Sequence, residues 1–477
     1  MRRFLSGLAR ALVALAVIVV LLGGAAVGFV YSPFFRFPTH GDYPDPHIRE
    51  LIWPTIACPS MLIPGGEMVM EVDLREGKES GPQPEAVAGW RAWVTPSREE
   101  LAGLSYGLDL VGSRTGPSER WPEGSREGRS GEVWHVAFRV PGEVPPELYD
   151  LHLEVEVRGE KVQDRQPHSL AVCDDSDNHF TFITLADIHV HERNNSAPAS
   201  RQSDKGISGD GEPLFLDRVI EQVNLIRPDF VLMLGDYVRG QRRPGELASE
   251  YAKFYSRLLD LEIPAFLVPG NHDKYINGID GARYFEENLG PLFYSFDVGD
   301  CHFTCLDSYQ WPSDDRVVMN KLLYMDPKKW KGQVLEAEDE LDPSTYRGQL
   351  AWVESDLAAH AGATLRVMAM HHDPYTDDGE GTAYKTDRIL GLALPGGGGK
   401  GRHALMDLAS RHGVHAVFGG HLHKDKIGSL PWREGGGETI YSCQTCVYFG
   451  KGGMDRSYPG YRLVRVEGGK IKEDRKS

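Results

Sequence analysis

The sequence predicts a layered α/β fold preceded by a small all-β, sandwich-like region and an apolar amino-terminal span. Three observations carry this. From about Phe180 onward, short apolar runs alternate with amphipathic stretches. Before about Asp175 the pattern is period-two alternation between Pro and Gly breaks, and from Ala11 to Phe35 no side chain is charged. The 477 residues suffice for two to three domains with a full core, read here as residues 1–40, 41–175 and 176–477.

The amino-terminal span follows Arg2, Arg3 and Arg10. About 20 apolar residues cross a bilayer, more than the core of a usual cleaved signal, so an uncleaved transmembrane helix is expected. The basic flank places the amino terminus in the cytoplasm and the rest of the chain outside. Cleavage and secretion are the alternative, and both readings export the remainder. In that compartment disulfides can form. Cys58 and Cys173 bracket the first folded region and either clip its ends or sit as small apolar residues. Cys443 and Cys446 lack the second pair that a zinc site would need and read as a structural pair or free thiols. With 69 acidic against 52 basic side chains the formal charge is -17, which repels polyanions and removes nucleic acid as an expected partner.

In the all-β region, Trp134, Val136, Phe138 and Val140 oppose Val133, His135, Ala137 and Arg139. Leu151, Leu153, Val155 and Val157 likewise oppose His152, Glu154, Glu156 and Arg158. Such alternation predicts a sandwich with one wet face per sheet. No chemistry shows there, so its expected role is a spacer or packing partner. The polar run from Asp174 to Asn178 marks the junction.

Beyond it, strands are expected over Thr181 to Ala186, Asp229 to Leu234, Pro264 to Pro269, Arg366 to Met370 and His415 to Phe418. Helical spacing appears at Leu216, Val219, Ile220 and Val223, and across Leu247 to Leu261, Leu350 to Leu357 and Ala404 to His412. Long loops are expected over about His191 to Pro213, Trp311 to Tyr346 and Asp373 to Arg402. The run Gly396 to Gly399 before Lys400 lacks the hydroxyl residue and the preceding strand of a phosphate-cradling loop and reads as a flexible segment.

Each of the five strands ends at a short polar motif: Asp187-Ile-His189, Gly235-Asp236, Gly270-Asn271-His272-Asp273, His371-His372 and Gly420-His421-Leu-His423. Carboxylate and amide oxygens mixed with imidazoles suit Mn, Fe or Zn. A carboxylate straight after a strand can offer one oxygen to each of two cations, and Asp236 stands there. In extended chain, residues i and i+2 point the same way, so Asp187 with His189 and His421 with His423 are expected to converge. Isolated histidines such as His191, His360, His412 and His415 read as ordinary.

In order and residue type these motifs resemble the calcineurin-like metallophosphoesterases, from about Phe180 to about Val466. The resemblance implies a layered β-sandwich flanked by helices and hydrolysis of a phosphodiester or phosphomonoester by a hydroxide bridging two divalent or trivalent ions, Mn, Fe or Zn. It implies that Asp187, His189, Asp236 and His423 hold one ion, and Asp236, Asn271, His371 and His421 the other. His272 would contact the phosphate and aid the leaving oxygen; Asp273 would either orient it or cap a turn. Arg239 would contact phosphate or form a structural ion pair. His371 and His372 compete for one place: alignment on the proline favours His372, alignment on the strand favours His371. The expectation taken is His371 as ligand, with His372 near the substrate.

Relatives of the purple acid phosphatase type carry a tyrosine ligand where this chain has Arg239, and protein Ser/Thr phosphatases an aspartate, so neither subgroup is matched. A membrane anchor favours a lipid-linked or envelope-derived phosphoester as substrate. The rival reading, a non-catalytic extracytoplasmic binding protein with a vestigial metal site, is opposed by the complete ligand set.

Overall fold

The computed structural model describes residues 17–18, 21–22, 24, 46–75, 86–121, 132–174, 178–190, 215–240, 244–274, 281–309, 342–375, 388–389, 392–393, 401–447 and 460–476. Of the expected amino-terminal span, Val17, Ile18, Leu21, Leu22 and Gly24 are described, and all five are helical. Among the described residues no helix is long and apolar enough to cross a membrane. The rest of that span, the glycine run and most of the three long loops lie outside the described residues.

The first half is built from β1 (Leu51–Trp53), β2 (Ser60–Leu62), β3 (Glu67–Val72), β4 (Val87–Pro96) and β5 (Tyr106–Gly107). It continues with β6 (Asp109–Pro117), β7 (Glu132–Arg139), β8 (Glu147–Val157) and β9 (Glu160–Val172). They form a sheet ordered β1-β3-β7-β6 and another ordered β2-β9-β8-β4-β5. The alternation read from the sequence supplies the shared core: Trp134, Val136 and Phe138 meet Leu151, Leu153 and Val155 between the sheets. The opposite face of β7 is wet only toward its end, at Arg139. Val133 packs with Ile48, Ile52 and Trp121, and His135 is buried. The reason is a covering segment after β6, held by Glu71, whose carboxylate accepts from Ser118 Oγ and from the backbone N–H groups of Glu119 and Arg120.

The second half opens with β10 (Phe180–Leu185), α1 (Phe215–Ile226), β11 (Phe230–Met233), α2 (Pro244–Leu258), β12 (Ala265–Leu267) and α3 (Gly281–Asn288). Then follow β13 (Tyr294–Val298), β14 (Cys301–Cys305), α4 (Gly348–Ala359), β15 (Leu365–His372), the short β16 (Arg388–Ile389) and β17 (Leu392–Ala393), and α5 (Arg402–Arg411). It closes with β18 (Ala416–Gly420), β19 (Lys426–Pro431), β20 (Glu438–Cys443), β21 (Arg462–Glu467) and β22 (Lys470–Lys476).

Two mixed sheets result, ordered β12-β11-β10-β21-β22 and β13-β14-β15-β18-β20-β19. Their inner faces bury Phe180, Phe182, Phe230 and Phe266 against Phe303, Val367 and Phe418. Outside, α1, α2 and α3 cover the first sheet through Val219, Val223, Phe254 and Phe285, and α4 and α5 cover the second through Leu350, Val353, Leu405 and Leu408. The layers therefore run helix, sheet, sheet, helix. Strands β10, β11 and β12 are mutually parallel, as are β14, β15, β18 and β20. Parallel strands release their carboxyl ends on one edge, which is where all five motifs emerge.

Phe182 sits at the centre of the inner core, fully buried, stacked on Phe230 at 5.0 Å and edge-on to Phe303 and Phe418 at 5.7 and 5.6 Å. Replacing it by Ala is expected to cost about 3–5 kcal/mol of unfolding free energy, read from urea denaturation; a loss below about 1 kcal/mol would show that the two sheets do not share this core.

Candidate metal centre

Five motif residues lie in left-handed backbone: Asp187 (φ 55°), His189 (φ 50°), Asp236 (φ 58°), His421 (φ 69°) and His423 (φ 52°). Side chains other than Gly seldom adopt this region, and Asp, Asn and His tolerate it best. The clustering of strain at one strand edge marks a functional site. It also corrects the pleat argument, because these pairs sit on tight turns, not on extended chain. Asp187 and His189 do come together, with Oδ1 and Nε2 3.8 Å apart. His421 and His423 part: one packs against His371 and His372, the other against Asp187 and His189.

The turns after β10 and β11 run side by side. Asp187 N–H donates to the Gly235 carbonyl and His189 N–H to the Asp236 carbonyl, at 3.0 and 2.9 Å. Two glycines make the approach possible. A Cβ on Gly270 would collide with the Asp236 carboxylate, and one on Gly420 would stand 2.7 Å from Asp187 Oδ2.

The two carboxylates are surrounded by imidazole. Asp187 Oδ1 has the Nε2 atoms of His423, His189 and His371 at 3.2, 3.8 and 3.9 Å. Asp236 Oδ2 has those of His371, His189 and His272 at 3.2, 3.7 and 3.9 Å. Asn271 Oδ1 lies 3.1 Å from His371 Nε2. His371 Nδ1 lies 2.7 Å from the Leu234 carbonyl, which can only accept; the proton is therefore on Nδ1, and Nε2 is the atom turned toward Asp236 and Asn271. These donors fit a pair of cations. Asp187 Oδ1 is buried without a hydrogen bond of ordinary geometry, and the His189 and His423 Nε2 atoms stand 3.1 Å apart beside it.

Electrostatics give the same picture. Burial opposes ionisation of Asp236, yet His371 and His272 hold its carboxyl well below the ordinary range. Burial opposes ionisation of Asp187 too, and His423 holds it low. The histidines answer in kind: against burial, Asp236 raises His371 to about 9 and Asp187 raises His423 to about 11. Burial, with His272 adding to it, pushes His189 well below its ordinary value, and burial with His371 pushes His421 to about 3. Two buried anions thus draw in whatever positive charge is present.

Three further motif residues are placed as follows. Asp273 takes the turn-capping alternative: its carboxylate accepts from the backbone N–H groups of Gly270, Asp236, Tyr237 and Val238 at 2.7, 2.9, 2.9 and 3.3 Å. It fixes the turns that carry Asp236 and Asn271, and burial with Asp236 raises it to about 7. Arg239 enters through its main chain, its carbonyl lying 2.5 Å from His272 Nδ1. His372, expected beside the substrate, is 4% exposed, and its ring lies 4.0 Å from that of His421.

Ser308, Lys274 and Asp307, not singled out from the sequence, complete the surroundings together with Cys446. Ser308, just past β14, lies 3.0 Å from His372 Nδ1. Lys274 and Asp307 form a buried ion pair beneath it. Cys446 hydrogen-bonds His423, and all six cysteines are free thiols. The one available signal was position at the end of β14, a strand the periodicity did not reveal. Away from the centre, Asp297, His302 and His360 also gather. There His302 has a carboxylate at each ring nitrogen, Asp297 at 2.7 Å and Asp356 at 2.9 Å, which makes it an ion-pair lock between β14 and α4.

A family model described as calcineurin-like phosphoesterase matches residues 180–425. No curated protein matches significantly. Among solved structures, the purple acid phosphatase PPD1 of yellow lupin (Lupinus luteus) seeds is similar at 12% identity and TM-score 0.42, covering 87% of this chain and 72% of that one. A dimetal phosphatase from Danio rerio is similar at 14% identity and TM-score 0.37, with 63% and 98% covered. TT1561 of Thermus thermophilus follows at 13% identity and TM-score 0.32, with 62% and 99% covered. The family match spans more than half of the 477 residues and takes in all five motifs, and the chain belongs to the calcineurin-like phosphoesterase family.

Proposed function

We propose that this chain hydrolyses phosphodiesters or phosphomonoesters with two cations, Mn, Fe or Zn, held at the strand edge. The observation that carries this is the pair of buried carboxylates, each with three histidine nitrogens within 3.9 Å. Asp187, His189, Asp236 and His423 would hold one ion, and Asp236, Asn271, His371 and His421 the other. When bound, the ions would supply an acidified water and positive charge for the phosphoryl oxygens.

The chain's own groups set the rest. His272 is fixed twice, its backbone N–H donating to Asp236 Oδ1 at 2.8 Å and its Nδ1 to the Arg239 carbonyl. Its Nε2 then faces the carboxylates, the position from which a proton can pass to a leaving oxygen. Asp273 acts as a positioning residue through the four N–H groups it accepts.

We further propose that the segment from Ala11 to Phe35 anchors the chain in a membrane with the catalytic part outside the cytoplasm. Its uncharged length and the flanking Arg2, Arg3 and Arg10 support this. That placement favours lipid-linked or envelope-derived phosphoesters.

Three outcomes test these readings. Metal-stripped protein should hydrolyse neither an aryl phosphodiester nor the matching monoester, and Mn should restore turnover. Asp236→Ala and Asn271→Ala should abolish it, while His272→Ala should retain the metals and lose about 10²–10⁴ in kcat. Wild-type activity in the Asp236 or Asn271 variant would overturn the assignment. Second, below about 9 and about 11, respectively, His371 and His423 carry protons that ligation must displace. Mn binding at pH 7.5 should therefore release about two protons, and affinity should fall as pH is lowered; heats independent of buffer ionisation enthalpy would contradict this. Third, the full chain should remain in the membrane pellet after a high-salt wash, whereas a chain beginning at Asp42 should be soluble. Recovery of the full-length product in the soluble fraction would rule out the anchor.

A further inference from the structure

We infer that His372, not His371 alone, is a ligand of the second cation position, which is then built from three histidines of the last two motifs, His371, His372 and His421, beside Asp236 and Asn271. This rests on the binuclear reading above and deepens it. In a regular strand, neighbours point to opposite faces, so His371 and His372 would be separated by the sheet. Here they are not. The pairing of β15 with β18 slips between Ala369 and His372, and such an irregularity re-aims the side chains that follow it. The rings of His371 and His372 stand edge-on at 4.9 Å, and their donor atoms gather with that of His421 within 4.8 Å of one another.

The state of the ring points the same way. His372 Nε2 is buried and, among the described residues, has no hydrogen-bond partner. A buried imidazole nitrogen left unpaired is costly, and a residue 4% exposed leaves no room for bulk water to satisfy it. The other nitrogen is occupied: Nδ1 lies 3.0 Å from Ser308 Oγ, which also accepts from the His372 backbone N–H at 2.9 Å. A hydroxyl oxygen has two acceptor lone pairs, so it can take both N–H groups and leave Nε2 bare, the form a metal requires. Tyr309 stacks on the ring at 5.5 Å and closes the opposite side.

The consequence is an asymmetric centre. The first position has two carboxylates and two imidazoles; the second would have three imidazoles, one carboxylate and one amide oxygen. Imidazole-rich sites favour borderline cations such as Zn, Co or Fe over Mg.

The test is metal binding, not turnover. Stripped full-length protein is titrated calorimetrically with Co, and its visible absorption is followed at each equivalent. Wild type should take two equivalents. His372→Ala and His371→Ala should each weaken one equivalent by at least about 10-fold and change only that equivalent's absorption, leaving the other intact. Ser308→Ala, which keeps the imidazole but removes its support, should weaken the same equivalent by about 10- to 100-fold, and Ser308→Thr should restore it. Two equivalents at wild-type affinity in both His372→Ala and Ser308→Ala would overturn the inference, as would unchanged Co binding with weakened inorganic phosphate binding, which would place His372 on the substrate instead. Failure of wild type to take a second equivalent would overturn the binuclear reading itself.

Discussion

The structure turns on the burial of two ionised carboxylates next to each other. Asp187 and Asp236 are 0% and 1% exposed, and the charge on Asp236 raises the proton affinity of Asp187. Left alone, such a pair would take up protons or open the fold. What keeps both charged is a shell of imidazoles carried on turns from both sheets, with His423 answering Asp187 and His371 answering Asp236. The same demand for positive charge that raises these histidines is what a pair of cations would satisfy more fully. Ligand geometry and proton affinity are therefore one property of the edge, not two.

Holding those groups in place requires backbone that the chain would not choose freely. Left-handed turns at Asp187, His189, Asp236, His421 and His423 each cost on the order of 1–3 kcal/mol. They persist because the strands leading into them are locked. Phe182, Phe230 and Phe418 fix the strands before the turns, and Asp273 collects the backbone N–H groups of the loops that follow. A rigid double sheet can tolerate strain at its rim that a lone sheet could not. This is the physical reason for placing the chemistry at the carboxyl ends of strands and not on the long loops.

How much of this was legible in the sequence follows from the range of each interaction. The strands ending at Leu185, Met233 and Leu267 were readable because buried parallel strands are apolar throughout, and the polar residue that ends each one is conspicuous. The motif histidines were readable for the same reason. Strands β13, β14 and β19 to β22 escaped although they pair locally, β13 with β14, β19 with β20 and β21 with β22: each is short, and none leads into one of the five polar motifs. Ser308 escaped with β14. The wet face assigned to β7 was wrong at Val133 and His135 because Glu71, over sixty residues away, ties down the segment that covers it. The direction of His372 was beyond reach, since it depends on a slip in strand pairing that leaves no trace in composition.

The amino-terminal sandwich belongs to the same argument. A spacer would touch the second half at its surface, but Trp53 and Cys58 enter the inner core between the sheets, while Ile56 and Ala57 enter the core beneath α1 to α3. The Ala57 carbonyl accepts from Leu267 N–H at 2.9 Å and from Tyr294 Oη at 3.0 Å, and Ala57 N–H donates to the Leu289 carbonyl at 3.3 Å. Leu267 is the last residue of β12, the edge strand that leads into Gly270 and Asn271. An edge strand with one side unpaired is the least constrained element of a sheet. The loop between β1 and β2 gives that free side a backbone hydrogen bond, so the sandwich braces the sheet at the strand whose position sets Asn271 against His371.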